Sequence, residues 1–205
     1  MDGRAMLKKT RELENEALNI TRSYLNVSQS ETVDHPSALL VLSVPSAGFT
    51  FPSMKLKEEK KMNESISFAD DIINTNSGEK RCVVTISYPN LRKNLSKNIT
   101  IFRQDPNTHL TLTSNIIAAA VYPPLKSNPT NPIKIAFDHE MVTNSTPVCS
   151  FWNHSIRTGN EIYGQWSSEG CKFDENESKP GHTVCWCNHL TNFALLLQRK
   201  TDVSR

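Results

Sequence analysis

Four of the chain's five cysteines, Cys149, Cys171, Cys185 and Cys187, fall within thirty-nine consecutive residues. That crowding limits the fold more than any other feature, because it reads as a small module stapled by disulfides or as a metal site. Our reading takes Cys185 and Cys187 of the C-x-C strand to point to opposite faces. On that view they do not pair with each other, and each meets a partner on a neighbouring strand. Two bridges follow, and their connectivity stays open. Zinc would use the same four sulfurs together with His189. The C-x-C-x-H run lacks the wider cysteine spacing usual in structural zinc sites, so no metal and no cofactor is expected. Cys82 stands outside the cluster and reads as a buried thiol on a strand face.

The compartment follows from asparagine. N-x-S/T sequons begin at Asn19, Asn26, Asn63, Asn94, Asn98, Asn144, Asn153 and Asn176. Nineteen asparagines in a chain about one-fifth Ser and Thr give three or four sequons by chance, about half of what is present. Each is a glycan acceptor only in the secretory pathway, which is also where disulfides persist. The first twenty residues carry no apolar signal core, so we expect an extracellular piece of a longer chain. Lys plus Arg is 23 against 21 for Asp plus Glu. This near-balance argues against a dedicated nucleic-acid binder, which usually shows a basic stripe. No apolar run approaches the ~20 residues that cross a bilayer.

Along the chain, residues 5–25 read as a helix, with Leu13, Ala17, Ile20 and Tyr24 forming one apolar stripe. From residue 35 the pattern changes to short strands separated by Pro- and Asn-rich turns. Residues 37–44 are almost all apolar and read as a strand buried on both faces. Residues 82–88 alternate, and residues 100–102, 110–114, 115–121 and 133–137 continue the series. The fold class expected is mainly β, an antiparallel twisted sandwich behind a short helical remnant. The charged run at residues 55–61 reads as a solvated loop. Residues 127–132, with two prolines, also read as a loop.

Residues 149–198 carry the sharpest pattern. It reads C-x-F-W from Cys149, G-x-W-S-x-x-G-C from Gly164, and T-x-C-x-C-N-H-L-T-x-F-A from Thr183. This resembles the GPS motif that closes the GAIN domain of adhesion-type G-protein-coupled receptors and also occurs in polycystin-type proteins. The resemblance implies bridges Cys149–Cys185 and Cys171–Cys187; Trp152 and Trp166 read, from their types alone, as core residues packed on the bridges. The resemblance also implies three segments: residues 1–34 as the end of helical subdomain A, 35–198 as the subdomain B sandwich, and 199–205 as a juxtamembrane tail. The implied partners are a downstream seven-helix membrane domain and an extracellular protein ligand, at the cell surface.

In that family the bond within His-Leu-Thr breaks by self-catalysis, which here places it between Leu190 and Thr191. The residue types suit such a single-turnover step. A hydroxyl is a weak nucleophile until a base takes its proton, and a neutral imidazole two residues earlier, His189, can be that base. Thr191 Oγ would attack the Leu190 carbonyl, and water would hydrolyse the resulting ester. From Thr191 onward, Asn192, Phe193, Ala194, Leu195, Leu196 and Leu197 would form a tethered agonist by the same resemblance. Phe193, Leu195 and Leu197 alternate with Ala194 and Leu196, so both faces are apolar and the strand belongs in the sandwich interior. Three other readings compete: a non-cleaving adhesion module, a polycystin-type origin and a cytosolic zinc protein.

Overall fold

A computed structural model of the chain describes residues 3–24, 29–35, 38–75, 77–95, 108–158, 161–162 and 164–200. Helix α1 (Gly3–Tyr24) leads into strands β1 (Ser30–His35), β2 (Ala38–Ser43) and β3 (Phe49–Phe51). Helix α2 (Met54–Lys60), β4 (Glu64–Phe68), α3 (Asp70–Ile73), β5 (Cys82–Tyr88) and α4 (Leu91–Leu95) follow. The remaining elements are all strands: β6 (Thr108–Leu112), β7 (Ile116–Tyr122), β8 (Ile133–Asp138), β9 (Thr146–Asn153), β10 (Arg157–Thr158) and β11 (Glu161–Ile162). The chain closes with β12 (Gln165–Ser167), β13 (Cys171–Lys179), β14 (His182–Cys187) and β15 (Asn192–Lys200).

Apart from a two-stranded ribbon of β10 and β11, these strands build two antiparallel sheets. The larger runs β1-β2-β5-β7-β15-β9-β12, with β6 also paired to β15, and the smaller runs β13-β14-β8-β4-β3. Apolar side chains of both sheets, including Phe51, Ile66, Val83, Ile117, Ile133, Ile135, Phe137, Phe193 and Leu195, form the core of a β-sandwich. The other face of the larger sheet is buried too. There Leu40, Leu42, Val84, Ile86, Leu112, Ile116, Ala118, Ala194 and Leu196 lie with Ala17 of α1 and with Leu91 and Leu95 of α4. The larger sheet is therefore a middle layer, which explains why β2 is buried at all six positions.

Several expectations need correction. Residues 1–34 are not wholly helical, because β1 pairs with β2 along its length, from Ser30 opposite Ser43 to His35 opposite Ala38. Arg199 and Lys200 do not begin a tail; they extend β15 and pair with His109 and Thr108. Residues 201–205 lie outside the described residues, as do residues 100–102 and the sequon asparagines Asn26 and Asn98. The run at 55–61 is not a loop. Six of its residues lie in α2, which Ser53 caps by accepting the Leu56 N–H at 3.3 Å and which ends at Lys61 in the left-handed region. The stripe of α1 is also shifted. Ile20 is 49% exposed, while Thr10, Glu14, Ala17 and Thr21 are buried. Thr21 tolerates this because its hydroxyl donates to the Ala17 carbonyl at 2.8 Å.

One carboxyl group sits inside the sandwich. Glu64 of β4 is 1% exposed; its Oε1 meets the Ser87 hydroxyl, and its Oε2 accepts from Asn115 Nδ2 at 3.1 Å. Burial pushes its pKa above the usual carboxylate value. The protonated form thus fits the fold better than the charged one, and this advantage is lost as pH rises through the folded-state value. Glu64→Gln, a neutral isostere, is expected to raise stability at neutral pH and to lose that advantage in acid. Thermal unfolding of both proteins from pH 4 to 8 checks this, and a variant less stable than wild type at neutral pH would contradict it.

Candidate functional site

The two disulfides organise the region that carries His189, Leu190 and Thr191. Cys149 of β9 bonds Cys185 of β14, with Cα atoms 5.7 Å apart, and so staples one sheet to the other. Cys171 of β13 bonds Cys187 of β14, with Cα atoms 4.1 Å apart, across a directly paired position. The two cysteines of the C-x-C strand do not point to opposite faces. Cys185 and Cys187 both face the core between the sheets, because side chains two apart in a strand share a side. Two such residues lie about 6.8 Å apart along the strand with parallel side chains, at the upper limit of what a disulfide spans. Each sulfur therefore turns to a different neighbour.

Trp152 and Trp166 are buried, but not on the bridges. Their rings meet edge to face at 5.4 Å in the layer on the far side of the larger sheet. Trp152 lies three positions from Cys149 on β9, an odd offset that puts it on the opposite face. Of the sequon asparagines, Asn19, Asn63, Asn144 and Asn176 are exposed and Asn153 is half-buried. Asn94 lies in α4.

Residues 188–191 form the bend between β14 and β15, and they line a cavity of about 800 Å³ with Phe151, Trp152, Asn153 and His154. His189 sits between two aromatic rings, edge-on to Phe151 at 4.2 Å and tilted toward Phe193 at 5.8 Å. Its Nδ1 lies 2.9 Å from Asn188 Oδ1. Since an amide oxygen only accepts, Nδ1 carries the proton and Nε2 the lone pair. Nε2 is buried and has no hydrogen-bond partner among the described residues. Burial lowers the pKa of this ring, and Glu169 opposes that only in part. The imidazole is therefore neutral at pH 7, with an unshared lone pair, which is the state a general base requires.

Thr191 does not touch that lone pair. Its hydroxyl donates to the Trp152 carbonyl at 3.4 Å, and its own carbonyl accepts from the Ala119 N–H at 3.1 Å. Leu190 is half-buried and packs against the sandwich core. Asn192 is wholly buried, with Nδ2 3.3 Å from His154 Nε2. Beyond it, β15 pairs with β9 from Phe193 opposite Phe151 to Gln198 opposite Thr146. Its other edge pairs with β7 at Asn192 and Phe193 and with β6 from Leu196 onward. Phe193, Ala194, Leu195, Leu196 and Leu197 are all buried.

Sequence reasoning assigned no role to Asn188 or Gly170, although both lie in the quoted pattern. The Asn188 N–H donates to the Gly170 carbonyl at 3.0 Å. Gly170 has φ +75°, and a Cβ there would stand 2.3 Å from Asn188 Oδ1 and 3.2 Å from His189 Nδ1. Only glycine leaves room for the amide that orients the imidazole. Gly170→Ala is expected to cost about 1–3 kcal/mol from the backbone conformation alone and to break the Asn188–His189 hydrogen bond. Thermal unfolding reads the first effect and the ring-nitrogen NMR shifts of His189 the second. An unchanged Tm with unchanged shifts would contradict this account.

Comparison with known proteins adds the family context. The family model described as GPS, GAIN subdomain B, matches residues 15–201. Adhesion G-protein coupled receptor G6 of Danio rerio is 35% identical over 106 residues, which is 51% of this chain and 8% of that protein. Adhesion G protein-coupled receptor G3 of Homo sapiens is 45% identical over 74 residues, 36% of this chain and 12% of that protein. The chain thus matches only about a tenth of the length of these relatives. A solved structure, the full extracellular region of zebrafish Gpr126/Adgrg6, has the same fold with a TM-score of 0.56 at 19% identity. That match covers 86% of this chain and 26% of the other.

Proposed function

The chain belongs to the GPS family, GAIN subdomain B, and on that premise we propose that it is the self-cleaving extracellular domain of an adhesion-type G-protein-coupled receptor. The bond cut is Leu190–Thr191. The Thr191 hydroxyl leaves the Trp152 carbonyl, gives its proton to His189 Nε2 and attacks the Leu190 carbonyl carbon. The tetrahedral adduct collapses by breaking the C–N bond, and the Thr191 nitrogen takes the proton from His189. Water then hydrolyses the ester, leaving a carboxylate on Leu190 and restoring the hydroxyl. Nucleophile and carbonyl belong to adjacent residues, so the step is intramolecular and needs no substrate binding.

The observation that carries this reading is the change of environment at one peptide bond. On one side is a bend beside a neutral, buried imidazole whose Nε2 has no partner among the described residues. On the other is a strand hydrogen-bonded along both edges and buried on both faces. Such a strand stays in place after its covalent link is cut. It becomes available to an attached seven-helix membrane domain only when it is pulled out, and in that role it acts as a tethered agonist at the cell surface. Helix α1 is read as the closing element of a helical subdomain, and residues 201–205 as the link toward the membrane.

The test is the state of protein secreted from a eukaryotic host. One species on native size-exclusion that separates into two chains on denaturation supports the proposal, and a single denatured chain contradicts it. A non-cleaving adhesion module is the second reading. It is favoured by one observation: the Thr191 hydroxyl rests on the Trp152 carbonyl and not on His189.

A further inference from the structure

The sandwich carries a second groove of about 420 Å³, with Met141, Pro147, Phe173, Gly181 and Leu197 in its wall. Two of these apolar side chains are exposed, Met141 at 72% and Phe173 at 37%. Each stands three residues before a sequon asparagine, Asn144 and Asn176 respectively. The two cases differ in chemistry, since only Phe173 offers a flat ring.

The backbone around Phe173 is unusual. Phe173 pairs with Cys185 and Asp174 with Val184, but the ladder resumes only at Lys179 opposite His182. Residues 175–178 therefore stand off the sheet opposite a single residue of β14. The bulge is held at both ends. Asp174 Oδ1 accepts the N–H groups of Asn176 at 2.9 Å and Glu177 at 3.1 Å. Ser178 Oγ, the hydroxyl of the sequon, accepts the Val184 N–H at 2.9 Å. This returns the chain next to the strand partner of Phe173. Glu177 is also fixed, by an ion pair with Lys134. Asn176 thus projects into solvent from a rigid loop whose ends lie beside an exposed aromatic ring.

We propose that Asn176 carries an N-linked glycan whose first N-acetylglucosamine stacks on the ring of Phe173 and covers the rim of this groove. A pyranose presents an apolar face of C–H groups with partial positive charge, and an aromatic ring presents a negative face to it. The sugar is tethered three residues away, so the contact forms at high effective concentration. The loop is already ordered, so little further entropy is lost. The proposal rests on the secretory reading of the sequons and is independent of cleavage at Leu190–Thr191.

The test uses the full chain from a secretory host with its glycans trimmed to single N-acetylglucosamine units. Glycopeptide mass spectrometry is expected to find Asn176 occupied. Asn176→Gln should lower Tm by about 2–4 °C and should leave Tm unchanged in the Phe173→Ala background. Ring-current upfield shifts of the sugar C–H protons should vanish in Phe173→Ala, a readout that does not depend on stability. An unoccupied Asn176, an equal Tm loss in both backgrounds, or unshifted sugar protons would each overturn the proposal.

Discussion

Thr191→Ala is expected to leave the secreted protein as one uncut chain with its fold unchanged. The hydroxyl is the proposed nucleophile, and an alanine methyl group cannot replace it. Its structural contribution is small. Among the described residues it makes one long hydrogen bond, 3.4 Å to the Trp152 carbonyl, and the link from Ala119 to the Thr191 carbonyl involves only the backbone. Loss of that hydroxyl bond should change stability by at most about 0.5–1.5 kcal/mol. Thr191→Ser keeps the nucleophile and should still be cut. Denaturing gels of the three proteins check this. A Thr191→Ala protein that still separates into two chains would remove Thr191 from the mechanism. His189 variants are less clean, because the ring also fills the space between Phe151 and Phe193.

The second large effect concerns retention of the cut strand. Burial of Phe193, Leu195, Leu196 and Leu197 contributes roughly 6–12 kcal/mol, an upper estimate, at about 1.5–3 for each side chain. Ladder hydrogen bonds to β9, β7 and β6 add to it. Phe193 and Leu195 are at most 1% exposed and face the core between the sheets. Phe193→Ala should cost about 3–5 kcal/mol and Leu195→Ala about 2–5. In uncut protein, made by adding Thr191→Ala, that loss appears as a lower Tm. In cut protein the strand is no longer covalently held, and the same loss weakens docking. At 1.4 kcal/mol per factor of ten, Phe193→Ala should speed release of the C-terminal fragment about a hundredfold or more. Fragment loss on native size-exclusion over time measures it. Arg199→Ala, at an exposed position of the same strand, is the control and should release at the wild-type rate. Equal release from all three would show that the strand is not held by its buried face.

The sandwich was legible because strand signals are local. The apolar run before Ser43, the alternation from Cys82 to Tyr88 and the segment from Ile133 to Phe137 each appear as β2, β5 and β8. The motif residues could be found because their types and spacing resemble a known family pattern. Other features depend on partners distant in sequence. The apolar content of β15 suggested an interior strand, but its neighbours β9, β7 and β6 are set by topology. The wholly exposed Ser30–His35 carries no burial pattern, so only its pairing with β2 shows it to be a strand. For residues 55–61 charge was read ahead of helix propensity, and the cap at Ser53 was the missed signal. The role of Gly170 could not be read at all, since nothing in sequence shows that Asn188 lies where its side chain would be.

Amino-terminal sequencing of the denatured, secreted protein tests the central claim most directly, because it identifies the bond as well as the break. The account predicts two sequences, the chain's own start and a second one beginning Thr191, Asn192, Phe193. A single sequence, or a second one that starts at any residue other than Thr191, would contradict it.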